Sequence, residues 1–217
     1  MIELKNATKF YNIKGKKHYI LDNVSYRFPS GKSIGLLGAN GAGKSTLLRL
    51  LGGIELPNAG KIITTSSISW PVGLSAGFQG SLTARENIKF VCQIHGKNIK
   101  EAKRIADFVY DFAEIDDFFD MPVKSYSSGM KNRVNFGLSM AFDFDYYLVD
   151  EVTAVGDAKF KAKAKKEFDK KRKSSCVIMV SHSMSELKKN VDIGVLLKDG
   201  KISIYENIDD AINEYQK

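Results

Sequence analysis

Gly38-Ala39-Asn40-Gly41-Ala42-Gly43-Lys44-Ser45 is the stretch from which the rest of the chain can be read. It fits G-x-x-x-x-G-K-[ST] at every fixed position, and it stands between two apolar runs, SIGLL (33–37) and LLRLLGG (47–53). The first run is the kind of segment that makes a buried strand. A helix that follows at once points its first amides and its partial positive charge back at the loop. Glycines let those amides curl around phosphate oxygens where a Cβ would collide. In such a loop Lys44 reaches the β and γ phosphates, the Ser45 hydroxyl ligates Mg²⁺, and the backbone from Gly38 to Thr46 encloses the rest. The motif by itself specifies a bound nucleotide phosphate, so kinases, GTPases and motor ATPases all remain open.

Downstream, apolar runs alternate with helical patterns, which implies a largely parallel sheet. Tyr146 to Val149 is strand-like and ends in two adjacent carboxylates, Asp150 and Glu151. The first can hold Mg²⁺, and the second can polarise an attacking water as a general base. Cys176 to Val180 is again strand-like and runs into Ser181-His182, where an imidazole can hydrogen-bond a γ-phosphate. A helix from Met184, a hairpin of Ile193–Leu197 and Lys201–Tyr205 around Asp199-Gly200, and an amphipathic helix marked by Ile208, Ala211, Ile212 and Tyr215 complete this part. Upstream, Ile2–Tyr11 and Tyr19–Phe28 predict strands, broken at Asn12–Lys17. Thr83-Ala84-Arg85-Glu86 is a capping box that opens a mostly helical stretch to about Phe142, interrupted near Met121–Ser127.

Composition narrows the setting. A hydrophobic share of 43% with 27% charged residues excludes a disordered chain. The longest uncharged stretch, Ile62 to Ala84, is too rich in Ser, Thr, Gly, Pro and Gln to span a bilayer. Two distant cysteines, Cys92 and Cys176, predict reduced thiols in a cytoplasmic protein. The net charge of +8 is local: Lys159 to Lys173 holds nine Lys or Arg and two acids, +7 in all. Phe160, Ala164 and Phe168 give that segment one narrow apolar stripe, so it predicts a helix with a basic, solvated outer face. Anionic headgroups or an acidic partner are its sharper use. Nucleic acid is not expected, because no stacking aromatics are interleaved with the cations.

Between the phosphate loop and the carboxylate pair lies Tyr126-Ser127-Ser128-Gly129-Met130, a small polar turn at a helix N-terminus and hence an anion site. It resembles the LSGGQ signature of ABC-transporter ATPases: Ser127 and Gly129 match, while Tyr126, Ser128 and Met130 depart. The loop, this signature, Asp150-Glu151, a D-loop-like Asp157 and His182 fall in that family's order, and the resemblance covers almost the whole chain. It implies an α/β fold, a P-loop NTPase of ABC type in a single domain 1–217. A mixed, largely parallel sheet core would carry an N-terminal antiparallel β subdomain and a helical subdomain inserted over about 84–142. It further implies that Tyr11 stacks on adenine, with Phe10, His18 and Tyr19 as competitors. Gln79 is the available Q-loop residue, a contact to Mg²⁺. It lies closer to Glu86 than in common importer subunits, so an ordinary polar loop residue is an equal reading.

In the family, the signature of one subunit (here Ser127, Ser128, Gly129 and Met130) completes the phosphate site of the other. The resemblance therefore implies a homodimer sandwiching two ATP molecules, each with Mg²⁺, and a separate integral membrane permease. The stretches SWPVGLSAGFQGSLTARENIKF and SSGMKNRVNFGLSMAFDFDYYLVDEVTAVGDAKF are similar to ATP-binding subunits of bacterial capsular-polysaccharide exporters, and more distantly to O-antigen and teichoic-acid exporters. Val152–Asp157 replaces the more usual PTSALD, a variation those exporters share. The chain ends soon after its last helix, without room for a C-terminal carbohydrate-binding domain, which favours the capsule type. The implied setting is peripheral, on the cytoplasmic side of the inner (plasma) membrane, with the polysaccharide contacted mainly by the permease. The alternatives are teichoic-acid or O-antigen export, and a non-transport ABC ATPase acting on nucleic acid or ribosomes. That last class usually carries paired cassettes or a coiled-coil insertion, and this chain has neither. A P-loop kinase would leave the signature unexplained.

Overall fold

The computed structural model describes residues 1–73, 77–150 and 157–217. In chain order its elements are β1 (Ile2–Ile13), β2 (Lys16–Phe28), β3 (Ile34–Leu37), α1 (Lys44–Leu51), β4 (Ala59–Thr64), β5 (Ile68–Pro71), α2 (Ala84–Ile94), α3 (Ile99–Ala113), α4 (Ser128–Ala141), β6 (Tyr146–Asp150), α5 (Ala158–Lys171), β7 (Cys176–Val180), α6 (Met184–Asn190), β8 (Ile193–Lys198), β9 (Lys201–Tyr205) and α7 (Ile208–Tyr215). Two 3₁₀ turns, Asp116–Asp120 and Val123–Ser125, join α3 to α4. The chain separates into two compact units. One comprises Met1–Pro71, Phe144–Glu151 and Ser174–Lys217, the other Val72–Asp143 and Val152–Lys173.

The first unit holds both sheets. A three-stranded antiparallel sheet runs β2-β1-β4, and a six-stranded sheet runs β5-β6-β7-β3-β8-β9, parallel except for the β8–β9 hairpin. The β1–β2 turn is tighter than the sequence predicts. Ile13 pairs with Lys16, and only Lys14 and Gly15 turn, at φ 49° and 78°. Two positive φ angles in succession give the hairpin turn whose twist matches its strands. Asn12, Lys16 and Lys17 stay in the ladder, because an exposed strand face tolerates polar side chains. The uncharged segment takes in the end of β4 and the whole of β5 at the sheet edge, where Trp70 meets Phe144 edge-on at 5.4 Å.

The core of this unit packs α1 against the parallel sheet. Leu47, Leu48, Leu50 and Leu51 join Ile34, Leu36, Leu148, Ile178, Val180 and Val195 in one buried cluster. Strands buried on both faces read as continuous apolar runs, which is why SIGLL and YYLV carry no alternation. On the other face α7 approaches β8 so closely that a Cβ on Gly194 would lie 2.2 Å from Ala211 Cβ.

The second unit is helical. Thr83 and Glu86 form the expected capping box on α2, and Asn98 and Glu101 form another on α3. Its centre is aromatic: Phe112 stacks with Phe136 at 5.9 Å and meets Phe160 edge-on at 5.3 Å. Phe160 brings α5 into this unit, and the stripe Phe160, Ala164, Phe168 is buried as its spacing predicts. The unit therefore begins at Val72 and includes the basic helix, a wider extent than 84–142. Among the described residues no helix is long and apolar enough to cross a membrane.

Candidate functional site

Strand β3 lies between β7 and β8, parallel to both, and β6 follows β7. Their C-terminal ends share one sheet edge, the place where open α/β sheets take ligands. Leu36 pairs with Val180 and Val180 with Asp150, so the loop after β3, Asp150 and His182 converge there. A cleft of about 490 Å³ at this edge is lined by Lys44, Ser45, Thr46, Asp150, His182 and, from the N-terminal hairpin, Tyr11.

Gly43 caps α1 with φ 98°, and a Cβ there would sit 2.3 Å from Ile20 Cγ2. At Gly38, φ is 151° and the Cβ would meet the Leu197 carbonyl oxygen at 2.8 Å. The Ala42 amide donates to the Ala39 carbonyl at 3.1 Å and tightens the loop between them. Lys44 Nζ donates to the Gly38 and Ala39 carbonyls at 2.7 and 3.0 Å, so its ammonium lies along the loop. Asn40, Gly41 and Gly43 also border the cleft. Ser45 and Asp150 bring a hydroxyl and a carboxylate to it, hard oxygen donors of the kind Mg²⁺ takes beside phosphate oxygens and water. Glu151 and Val152 to Gly156 lie outside the described residues.

The hairpin's two-residue period sorts the aromatic candidates. Tyr11 pairs with His18 and Phe10 with Tyr19. Tyr11, Ile13, His18 and Ile20 line the cleft, whereas Phe10 and Tyr19 pack on each other with ring centroids 5.5 Å apart. The Tyr11 hydroxyl donates to Glu55 Oε2 at 2.7 Å, and Arg49 Nε donates to Glu55 Oε1 at 2.6 Å. Lys9 Nζ stands 3.1 Å from Oε2. Partial burial works against the Glu55 charge, but these three donors outweigh it and hold the carboxyl at about 2.

The remaining candidates belong to the second unit. Gln79 is exposed, and its backbone is clamped from both sides by Asn87. The Gln79 amide donates to Asn87 Oδ1 at 2.7 Å, and Asn87 Nδ2 donates to the Gln79 and Thr83 carbonyls at 3.0 and 2.8 Å. Ser127 caps α4, its Oγ accepting the Met130 amide at 3.2 Å. Ser127 and Ser128 are exposed, and a Cβ on Gly129 would meet nothing closer than 3.8 Å. Tyr126, which departs from the signature, is buried, and its hydroxyl donates to the Phe119 carbonyl at 3.2 Å. Asp157 caps α5 by accepting the Phe160 amide at 2.9 Å, the main cause of its lowered pKa, and pairs with Arg133 at 2.8 Å. The sequence reading missed Asn87 and Glu55. Asn87 carried a signal, a polar residue in the apolar stripe Ala84, Ile88, Val91. Glu55 carried none, because its partners come from β1 and α1.

The ABC transporter family model matches residues 21–154, from β2 through β6, and the chain belongs to that family as an ATP-binding subunit, an ATPase coupled to transport. Among individual proteins it is 53% identical, over 217 residues covering all of this chain and 96% of the relative, to the polysialic acid transport ATP-binding protein KpsT of Escherichia coli. The capsule polysaccharide export ATP-binding protein CtrD of Neisseria meningitidis serogroup B is 44% identical, over 99% of this chain and 98% of its own. In fold, the chain matches a dimeric post-hydrolysis state of the ATP-binding cassette MJ0796 bound to ADP and Pi, at TM-score 0.75 and 23% identity. The match covers 96% of this chain and 99% of that one.

Proposed function

We propose that this chain is the ATP-hydrolysing subunit of an exporter that moves a lipid-linked capsular polysaccharide through a separate membrane permease. The observation that carries this reading is full-length similarity, at 53% and 44% identity, to a polysialic acid transport and a capsule polysaccharide export ATP-binding protein. The cleft at the sheet edge supports it chemically. The loop amides and Lys44 hold the triphosphate of ATP, and Tyr11 supports its adenine. Ser45 and Asp150 would hold Mg²⁺. When bound, Mg²⁺ would supply neutralisation of the charge on the phosphates. Glu151 takes the proton of the attacking water, and His182 donates a hydrogen bond to a γ-phosphate oxygen. Ser127 to Met130 of a second copy, with Asp157 nearby, close the site, so two copies bind two ATP molecules. The subunit sits peripherally on the cytoplasmic face of the inner membrane, and the polysaccharide meets the permease.

In a capsule-forming host deprived of its own ATP-binding subunit, this chain should restore polysaccharide to the cell surface. A Glu151→Gln variant should leave the polymer inside the cell and lower ATP turnover at least about 100-fold. Near-normal hydrolysis by the variant contradicts the assigned base, and surface polymer without this chain contradicts the role in export.

A further inference from the structure

One group beside the cleft has no place in the reaction as described, yet it holds a residue that has. Glu55 follows α1 and takes three donors on its two oxygens: the Tyr11 hydroxyl and Lys9 Nζ on Oε2, and Arg49 Nε on Oε1. A phenol donating to a carboxylate at 2.7 Å is a charge-assisted bond, about twice as strong as a neutral one. The carboxylate cannot swing away from Tyr11, because Arg49 fixes its other oxygen at 2.6 Å. Arg49 is anchored in turn: its Nη2 donates at 3.2 Å to Thr46 Oγ1, in the first turn of the helix that begins at Lys44. One chain of polar contacts thus runs from an aromatic ring lining the cleft to a hydroxyl beside the phosphate loop, all within one compact unit.

We propose that Glu55 is the positioning residue for the nucleobase: its carboxylate fixes the Tyr11 ring in register with the phosphate loop. This rests on the reading of Tyr11 as the adenine platform. The physical case is preorganisation. A ring on a surface strand can rotate about its side-chain bonds, and each base that binds must then stop that rotation; a tethered hydroxyl stops it beforehand. Because the tether is built on α1, the spacing from base platform to phosphate loop is set by one short helix and three polar contacts. The energy of stacking is then available only to a ligand that carries both a base and phosphates at that spacing.

A purely structural staple would serve any ligand of the loop equally, and this separates the two roles. Calorimetric titration with Mg-ATP and with Mg-tripolyphosphate, which has the phosphates and no base, tests it on the full chain. Glu55→Gln takes the negative charge from this bond, and Tyr11→Phe removes the bond itself. Each should weaken ATP binding about three- to tenfold while tripolyphosphate changes by about twofold or less, and the double variant should be no weaker than either single one. Equal losses for both ligands, no loss for ATP, or additive losses in the double variant would overturn the proposal. If Glu55→Gln fails to fold, the contrast between ATP and tripolyphosphate binding in Tyr11→Phe alone decides. Tyr11→Ala separates the underlying reading: unchanged ATP affinity in that variant removes Tyr11 as the platform, whereas loss there with no effect of Tyr11→Phe removes Glu55 alone.

Discussion

At Gly43 two constraints coincide: a left-handed backbone, φ 98°, and Ile20 Cγ2 only 2.3 Å from where a Cβ would stand. Gly43→Ala should therefore cost about 2–4 kcal/mol of stability and abolish tight ATP binding. Urea unfolding and a nucleotide titration check this, and a variant that binds ATP normally would show that the loop does not hold the phosphates. Glu55 offers a pH test. Its carboxyl is depressed from 4.5 to about 2, so its stabilisation is present above about pH 4.5 and drains away as the pH falls toward 2. The unfolding free energy of Glu55→Gln in urea should trail that of the unaltered chain at pH 7 by on the order of 1–2 kcal/mol, with the gap closing below pH 4. A gap that stays constant down to pH 3 would deny the charge its role. The phosphate loop was legible because its constraints are local, four fixed positions within eight consecutive residues. Glu55 was not, since what defines it are Tyr11, forty-four positions upstream, and Arg49.

Elements were legible where their periodicity met a burial face. Phe160, Ala164 and Phe168 announced the stripe of α5, and Thr83 with Glu86 announced the start of α2. What packs against a stripe is a different matter. The sequence predicts a basic, solvated outer face for α5. In the structure Lys163 pairs with Glu114, and Lys171 pairs with Asp143, acids that lie 49 and 28 positions away. Lys159, Lys161, Lys165, Lys166, Lys170 and Lys173 remain exposed. The same holds for β8, where a glycine in an apolar run reveals its purpose only once α7 is in place. Gly194→Val should force α7 off the sheet, since the first added carbon already lies 2.2 Å from Ala211 Cβ. The expected cost is about 2–3 kcal/mol in chemical unfolding, with ATP affinity falling less steeply than stability. A variant as stable as the parent would mean that α7 is not held against β8.

For the whole molecule, the order of motifs carried more than any one of them. A phosphate loop alone left kinases and GTPases open, and the carboxylate pair alone is a common strand ending. Together with the Ser127–Gly129 turn they limited the chain to one family before any fold was known, and residues 21–154 match that family. The first unit gathers Lys44, Ser45, Asp150 and His182 on one cleft, while Ser127 caps an exposed helix N-terminus in the second. In the proposed shared site that helix end would come from a second copy, where its partial positive charge favours a phosphate. Nucleotide should therefore drive two copies together. Sedimentation of the Glu151→Gln variant is the most direct test of that association. With saturating Mg-ATP it should sediment as particles of two chains, and with ADP, or once Ser127→Arg is added, as single chains. Single chains alone in Mg-ATP, with or without the permease present, would contradict it.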